Sequence, residues 1–391
     1  MRIVLTGGGT GGHLVPFEPI VDALRTVHQE QHSSLPPWID ARELKLYFLG
    51  VADSATIEFF NRLSVSVINI PSGKLRRYPS PLTISDLLFR LPLGVVKGLF
   101  RVWSIMPDVV ISKGGYGALP VTSAALIYRI PILLHESDAV PGLANRVTAR
   151  WASAITVGLS AVRKEMKRYK EKTVVTGIPV RSELTRFTTP EAKRALGFTE
   201  RDFVVLVMGG SQGSEQINEV LLHALGKLIN SVSIVHLTGE EHYKKVGEVA
   251  AQLLAASSRR ASYKLYPYLT DKMPLVLAAA DVVVTRAGAT TLAELARLHK
   301  PAIIIPLSSA ANDHQRRNAN IFEAAGAARV IDPANLGPSI FSRNILDITE
   351  SEYIRSTLST NIAQFDFPSA ARDIALLAYK LASGLVPKEP P

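Results

Sequence analysis

Short apolar runs ending in glycine, serine or another polar residue recur along the chain. In the first half they are MRIVLT, LKLYFLG, SVSVINIP, PDVVISKGG, IPILLHES, SAITVG and KTVVTG; in the second, FVVLVM, VSIVHLTG, YKLYPYL, ADVVVTR and PAIIIPL. Apolar runs of roughly four to eight residues without polar alternation mark strands buried on both faces, the usual state of strands in a parallel sheet. Most of the runs are separated by stretches such as PFEPIVDALRTV, whose apolar residues fall at helical spacing. The alternation predicts an α/β protein with parallel sheets covered by helices. At FVVLVMGGSQGSEQINEVLLHALGKL the order of strand, glycine-rich turn and helix begins again. Gly177 and Pro179 interrupt the pattern just before it. Two Rossmann-like domains are therefore expected, joined around residues 178–182, with a cleft between them. In open α/β sheets ligands sit beyond the carboxyl ends of strands, and each glycine-rich turn lies at such an end.

Composition narrows this picture. At 391 residues the chain is long for one core. It is 47% hydrophobic and 20% charged, as soluble α/β proteins are. No apolar run approaches the ~20 residues that span a bilayer, and the opening is too short and glycine-rich for a signal peptide. Cysteine is absent, which excludes disulfides, thiolate metal sites and a cysteine nucleophile, and fits a cytoplasmic protein. The net charge of +10 points to an anionic partner: nucleic acid, an anionic membrane or a phosphorylated substrate.

Three glycine-rich turns carry the candidate chemistry. TGGGTGGH, residues 6–13, satisfies G-x-G-x-x-G at Gly7, Gly9 and Gly12, but no acidic residue closes the second strand as a dinucleotide site requires. Its G-x-x-x-x-G spacing is followed by His13 and Leu14, so the lysine and hydroxyl of a P-loop are missing. The remaining readings are a tight turn with a surface histidine, or a loop that lets backbone approach an anion or sugar. In the second, His13 stands at the start of a helix opened by Pro16, where the positive dipole end favours a neutral imidazole and so a general base. In MGGSQGSEQIN, Ser211 or Ser214 caps a helix whose N–H groups can hold phosphate. In TRAGATTLAEL, Gly288 permits the turn and Thr290 or Thr291 caps the helix. Thr291-x-x-Glu294 reads as a capping box, which makes Glu294 structural; otherwise its carboxylate can accept from a ribose diol. Spacing does not separate the two. No Asp/His cluster has metal-ligand spacing, no D-x-D stands in the TRAGATTLAEL turn, and no carboxylate pair suggests a glycosidase.

The stretch GKLRRYPSPLTISDLLFRLPLGVVKGLFRVW, residues 73–103, sets Lys74, Arg76, Arg77, Arg90, Lys97 and Arg101 against one acid, Asp86, with Leu87, Leu88, Phe89, Leu91 and Leu93 interleaved. It is either a helix packing its apolar stripe on the sheet or a surface that meets anionic lipid headgroups.

GGTGGH, GGYGALP, LLHESDAVPGLANR, TGIPVR, MGGSQG, TRAGATTLAEL and DHQRRNA, in this order, resemble the MurG family over residues 1 to about 330. These are the inverting UDP-N-acetylglucosamine–N-acetylmuramyl-(pentapeptide) pyrophosphoryl-undecaprenol N-acetylglucosamine transferases. The resemblance implies a GT-B architecture, with two Rossmann-like parallel-sheet domains facing a cleft: residues 1–178 for acceptor and membrane, 182–365 for UDP-GlcNAc, and 366–391 a C-terminal helix and tail returning to the first domain. It implies transfer of N-acetylglucosamine from UDP-GlcNAc to the MurNAc C4 hydroxyl of lipid I, giving lipid II, by a peripheral protein on the cytoplasmic face of the membrane that needs no cofactor and no metal. By motif it places Thr10, Gly11 and Gly12 near the donor and makes His13 the base. It sets Arg181 and Ser211 on the donor diphosphate and Leu269 against the uracil. Gly288, Ala289, Thr290, Thr291, Leu292 and Ala293 become the donor loop, Glu294 the ribose acid and Gln315 the reader of the sugar hydroxyls. Gly114, Gly115 and Tyr116 join the first glycine loop around the lipid I diphosphate. The chain departs from many relatives at Asp138, where HESD replaces HEQN, at Ile178, and at Arg316. A different nucleotide-sugar transferase, a UDP-GlcNAc epimerase and a non-catalytic binder are the rival readings; no nucleic-acid motif is present.

Overall fold

The computed structural model describes residues 1–8, 14–31, 35–36, 39–40, 43–73, 83, 86–210, 212–307 and 313–384. The chain divides into two compact units, one made of Met1–Pro179 with Phe367–Pro391 and the other of Val180–Asp366.

The first unit holds a seven-stranded sheet: β1 (Arg2–Thr6), β2 (Lys45–Gly50), β3 (Ser66–Asn69), β4 (Val109–Ser112), β5 (Ile132–Glu136), β6 (Ala154–Val157) and β7 (Thr173–Val175). Its order is β3-β2-β1-β4-β5-β6-β7 and every pairing is parallel; Ile3 lies opposite both Leu46 and Val109. Three helices of this unit matter below: α1 (Phe17–Gln31), α2 (Leu91–Ile105) and α3 (Leu119–Ile127). On α1, Phe17, Ile20, Val21, Leu24 and Val27 repeat at helical spacing and are fully buried with Ile3, Leu5, Phe48 and Phe60. Each such side chain contributes about 1.5–3 kcal/mol when removed from water.

The second unit holds six parallel strands: β8 (Val204–Met208), β9 (Ser233–Leu237), β10 (Tyr263–Tyr266), β11 (Val282–Thr285), β12 (Ala302–Ile304) and β13 (Arg329–Val330), in the order β10-β9-β8-β11-β12-β13. The last strand is only two residues long and half-buried, too short to register as an apolar run. Around the sheet, α4 (Glu215–Leu228), α5 (Ala289–Arg297) and α6 (His314–Ala324) each begin just beyond a strand's carboxyl end. The chain then returns to the first unit, where α7 (Ala370–Ala382) lies against α1. Arg372 grips Glu30 with two hydrogen bonds of 3.0 and 2.8 Å, and Ile374, Ala378 and Tyr379 enter the core.

The strand order fixes where ligands can bind. In each sheet the chain reverses its direction of winding once, between β1 and β4 and between β8 and β11. Crossover helices part on either side of such a point and leave a crevice beyond the strand ends. Those ends are Gly7 with Lys113–Gly115, and Gly209–Gly213 with Arg286–Gly288. Among the described residues no helix is long and apolar enough to cross a membrane.

Candidate functional site

At the carboxyl edge of the first sheet the structure gathers buried polar groups. Lys113 follows β4 and is almost fully buried. Its amide donates to the Thr6 carbonyl at 2.9 Å and its ammonium to Ser137 Oγ at 2.5 Å. Burial pulls the ammonium down to about 8, against the fields of Glu136 and Asp138. Glu136 ends β5. Its Oε1 accepts from the Asp138 amide at 3.0 Å, and its Oε2 from the Gly142 amide at 3.2 Å and from Asn145 Nδ2 at 2.6 Å. Burial, and secondarily Asp138, push its carboxyl up to about 7 in spite of these donors. The carboxylate thus folds the 137–142 loop around itself. Inside β5, His135 meets Thr156 Oγ1 at 2.9 Å, and burial holds it neutral well below its ordinary value.

Gly114 and Gly115, expected at the acceptor diphosphate, have φ of +75° and +80°. A Cβ on Gly114 would lie 1.5 Å from Asn145 Oδ1, so only glycine lets this loop close on Asn145. Tyr116 opens a short helical turn, and its carbonyl accepts from Ser72 Oγ at 2.7 Å. Thr10, Gly11, Gly12 and His13 lie outside the described residues, as do Ser211, Lys74, Arg76 and Arg77.

The second unit's edge is organised around arginines. Arg181 Nη2 donates to Glu294 Oε1 at 3.1 Å, with the two side chains 12% and 9% exposed. The Nε of Arg181 is buried without a hydrogen-bond partner. Burial raises the Tyr268 phenol, which also feels the charges of Arg181 and Glu294; Leu269 follows it, half-buried in the loop beyond β10. Gly288 is the N-cap of α5. The expectation that Thr290 or Thr291 caps this helix is therefore corrected, and the Thr291–Glu294 capping box with it. The helix begins earlier, Thr291 is in its first turn, and Glu294 pairs with Arg181 from the helix interior. Ala289 and Thr290 complete the first turn, while Leu292 and Ala293 are buried behind it and the Leu292 amide is spent on the Gly288 carbonyl.

Of the two candidate caps before α4, Ser214 is in place: its Oγ accepts from the Ile217 amide at 3.3 Å. Gly213 has φ +77°, and a Cβ there would come within 2.0 Å of the Thr238 carbonyl. That carbonyl accepts from Asn218 Nδ2 at 3.1 Å, which leaves Asn218 Oδ1 to face His236 Nε2 at 2.9 Å. Nε2 must then carry the proton, and Nδ1 accepts from the Tyr263 hydroxyl at 2.8 Å. Burial keeps this imidazole neutral, down to about 3. On α6, Gln315 Oε1 accepts from the Leu307 amide at 2.9 Å, and Asn318 Nδ2 holds the Ala287 carbonyl at 3.0 Å. Arg316 turns instead to Asp332 at 2.9 Å on the surface.

Sequence reading passed over Lys113, Glu136, Asn145, Asn218, His236, Arg286 and Asn318. For Lys113, Glu136, His236 and Arg286 the signal is a polar residue at or beside the end of an apolar run, where burial demands a partner. Asn145, Asn218 and Asn318 lie within helices and carry no such signal.

In the 73–103 stretch, Leu88 and Phe89 precede α2 on a π-helical turn, Asp86–Arg90. Phe89, Leu93, Val96, Phe100 and Trp103 are 58% to 71% exposed and fall on one face of the helix. Gly94, Gly98, Val102 and Ile105 form the buried face, packed on α3. Lys97 and Arg101 flank the apolar stripe, with the Arg101 guanidinium 5.8 Å from the Phe100 ring. Of the apolar residues that helical packing would have buried, Leu88, Phe89 and Leu93 are outside and Leu91 is half-buried.

Residues 3–157 match the glycosyltransferase family 28 N-terminal domain and residues 204–374 its C-terminal domain. The UDP-N-acetylglucosamine–N-acetylmuramyl-(pentapeptide) pyrophosphoryl-undecaprenol N-acetylglucosamine transferase of Symbiobacterium thermophilum is 34% identical over 376 residues, 96% of this chain and 95% of that protein. The structure of Acinetobacter baumannii MurG superposes with a TM-score of 0.70 at 22% identity, covering 97% of this chain and 99% of that one. A Neisseria meningitidis UDP-GlcNAc 2-epimerase bound to UDP-GlcNAc reaches 0.68 at 14% identity, covering 96% and 100%. The two structural likenesses concern fold alone, and one architecture evidently serves different chemistries.

Proposed function

The chain belongs to glycosyltransferase family 28, and from that premise we propose that it transfers N-acetylglucosamine from UDP-GlcNAc to the MurNAc C4 hydroxyl of undecaprenyl-diphospho-MurNAc-pentapeptide, with inversion, in peptidoglycan synthesis. The C4 oxygen attacks the sugar C1, the bond from C1 to the UDP oxygen breaks, and the hydroxyl proton passes to His13. General-base assistance of this kind is worth about 10²–10⁴-fold. The departing diphosphate gains charge. Arg181, Ser211 and the N-terminal turns of α4 and α5 stabilise it in this reading, before reaction begins. Glu294 takes the ribose, Gln315 the sugar hydroxyls through its amide, and the Leu269 backbone the uracil. The first unit receives the acceptor at Gly114, Gly115 and Tyr116.

The observation that carries the donor assignment is the buried, unpartnered Nε of Arg181 beside Glu294, a donor left over at a strand edge where ligands bind. For the lipid-linked acceptor it is the exposed α2 stripe with its basic flank. That stripe suits a protein lying on the cytoplasmic face of an anionic membrane, where each basic residue adds about 1 kcal/mol.

Labelled UDP-GlcNAc incubated with the chain and lipid I should yield labelled lipid II. Conversion of UDP-GlcNAc with no acceptor present would instead establish an epimerase. His13→Ala should lower kcat by roughly 10²-fold with UDP affinity little changed; near wild-type turnover would remove His13 as the base.

A further inference from the structure

We propose that Arg286 is a positioning residue of the donor half, locking three loops together and supplying the fixed positive charge that a nucleoside diphosphate meets behind them. The inference rests on the donor reading of the second unit. Arg286 directly follows β11, at the point where the winding of the second sheet reverses, and is 8% exposed. Its Nη1 donates to the carbonyls of Ile305 and Pro306, each at 3.1 Å, where β12 gives way to the segment leading to Gln315. Its Nη2 donates to Ser214 Oγ at 2.6 Å and reaches Gln216 Oε1 at 3.5 Å, at the N-terminus of α4. Gln216 is itself tied to the Pro333 carbonyl at 3.1 Å. Two residues beyond Arg286, Gly288 caps α5. One guanidinium therefore sets the start of α4, the start of α5 and the exit of β12 relative to one another.

The charge is what a staple alone does not explain. All four acceptors are neutral, and among the described residues no carboxylate pairs with Arg286. The nearby acid, Glu215 in the first turn of α4, is exposed and lies 3.7 Å from Lys245. A buried guanidinium without a counter-charge is costly, and the positive end of α4 opposes it further. Burial accordingly lowers its proton affinity. A neutral amide could bridge the same carbonyls more cheaply. A cation held at this cost, at the ligand-binding edge and beside two helix N-termini, is preorganised for an anion that completes it.

Calorimetric titration of the full chain with UDP, UMP and uridine tests this. Wild type should prefer UDP to uridine. Arg286→Gln should weaken UDP by roughly tenfold or more, the scale of a charge-assisted contact, and uridine much less, so that the preference shrinks. Arg286→Lys keeps the charge but loses the fork. It should weaken both ligands and keep the preference, and this variant decides the matter should the glutamine variant not fold. An undiminished preference in Arg286→Gln, or its collapse in a folded Arg286→Lys, overturns the charge assignment. A wild type that binds UDP no better than uridine overturns the donor reading itself.

Discussion

The carboxyl edges of the two sheets can be set side by side. Both are made where a parallel sheet reverses its winding, both carry glycines at positive φ, and both bury charge. The first edge holds Lys113 with two acids, Glu136 and Asp138. The second holds two arginines, Arg181 and Arg286, with one acid, Glu294. In the first, charge is spent on backbone: Glu136 collects the amides of the 137–142 loop, and Lys113 ties that loop to β4. In the second, Arg286 is spent on neutral acceptors and, among the described residues, the Nε of Arg181 is left without a hydrogen-bond partner. The same topology thus yields acids that hold a loop at one edge, where Thr6 Oγ1, His135 Nε2 and Asn145 Oδ1 are buried atoms without partners among the described residues, and an excess of positive charge at the other. Strand order decides where a site forms, and the residue at each strand end decides what it can bind.

The largest effect expected of this contrast is in the first unit. Glu136→Ala leaves Lys113 with less compensation and three donors, two amides and Asn145 Nδ2, without their acceptor. Removing one member of a buried charged network costs on the order of 3–5 kcal/mol. Chemical denaturation of the variant, followed through Trp103 and Trp151 of the first unit, should show that loss. UDP affinity should stay within about twofold of wild type, since Arg181, Glu294 and Arg286 belong to the other unit. A parallel fall in UDP affinity would break the separation of the two edges.

Much of this architecture was legible in the chain. Every apolar run quoted above contains a strand. Most are buried, while the outer strands β3 and β10 are half-buried or exposed and still run apolar over several residues; β13 escaped because it is only two residues long. Each of the three glycine turns follows a strand, β1, β8 or β11. What local pattern could not give was pairing across the sequence. Thr291-x-x-Glu294 has the spacing of a capping box, yet the helix starts earlier and Glu294 finds Arg181, which precedes it by 113 residues. Ser211 and Ser214 were equal candidates as caps, and only the register of α4 chooses Ser214. Asp138 and Arg316 stand where the chain departs from many relatives. The first lies within the field of Lys113 and Glu136, the second in a surface pair with Asp332. The exposed stripe of α2 could not be told from a core stripe, because periodicity shows that a face is apolar and is silent on what it faces.

The next effect in size falls on the second edge. Glu294→Ala should weaken UDP by about tenfold, near 1.4 kcal/mol, since Arg181 loses the carboxylate it pairs with and, in the proposed reading, the ribose loses an acceptor. Glu294→Gln keeps one acceptor oxygen and should lose less. Both should leave first-unit stability as it was. Normal UDP binding in both variants, with only a lower melting temperature, would make the Arg181–Glu294 pair a structural contact and level the contrast between the edges.

A third effect concerns pH, and it separates how the two units hold their loops. In the second unit the chain from Tyr263 through His236 and Asn218 to the Thr238 carbonyl works only with a neutral imidazole, because Nδ1 must accept. His236 titrates near its ordinary 6.5 when unfolded and near about 3 when folded. Between these values the unfolded chain binds the extra proton, so this group's contribution is complete above pH 6.5 and is lost as pH falls toward 3. Glu136 in the first unit runs the other way, its carboxyl raised from 4.5 to about 7, so its ionisation erodes stability as pH rises through that range. Comparing wild type with His236→Gln isolates the histidine, since all other titrations cancel in the difference. Hydrogen-exchange protection of the β9 amides, measured from pH 5 to 8, should favour wild type by a margin that widens with pH up to about 6.5 and then levels. The β5 amides, beside Glu136, should show no such difference between the two proteins. A margin that stays flat across pH would mean that His236 carries no proton-linked part of the fold. A margin that appears equally in β5 would mean that the two edges are not held independently.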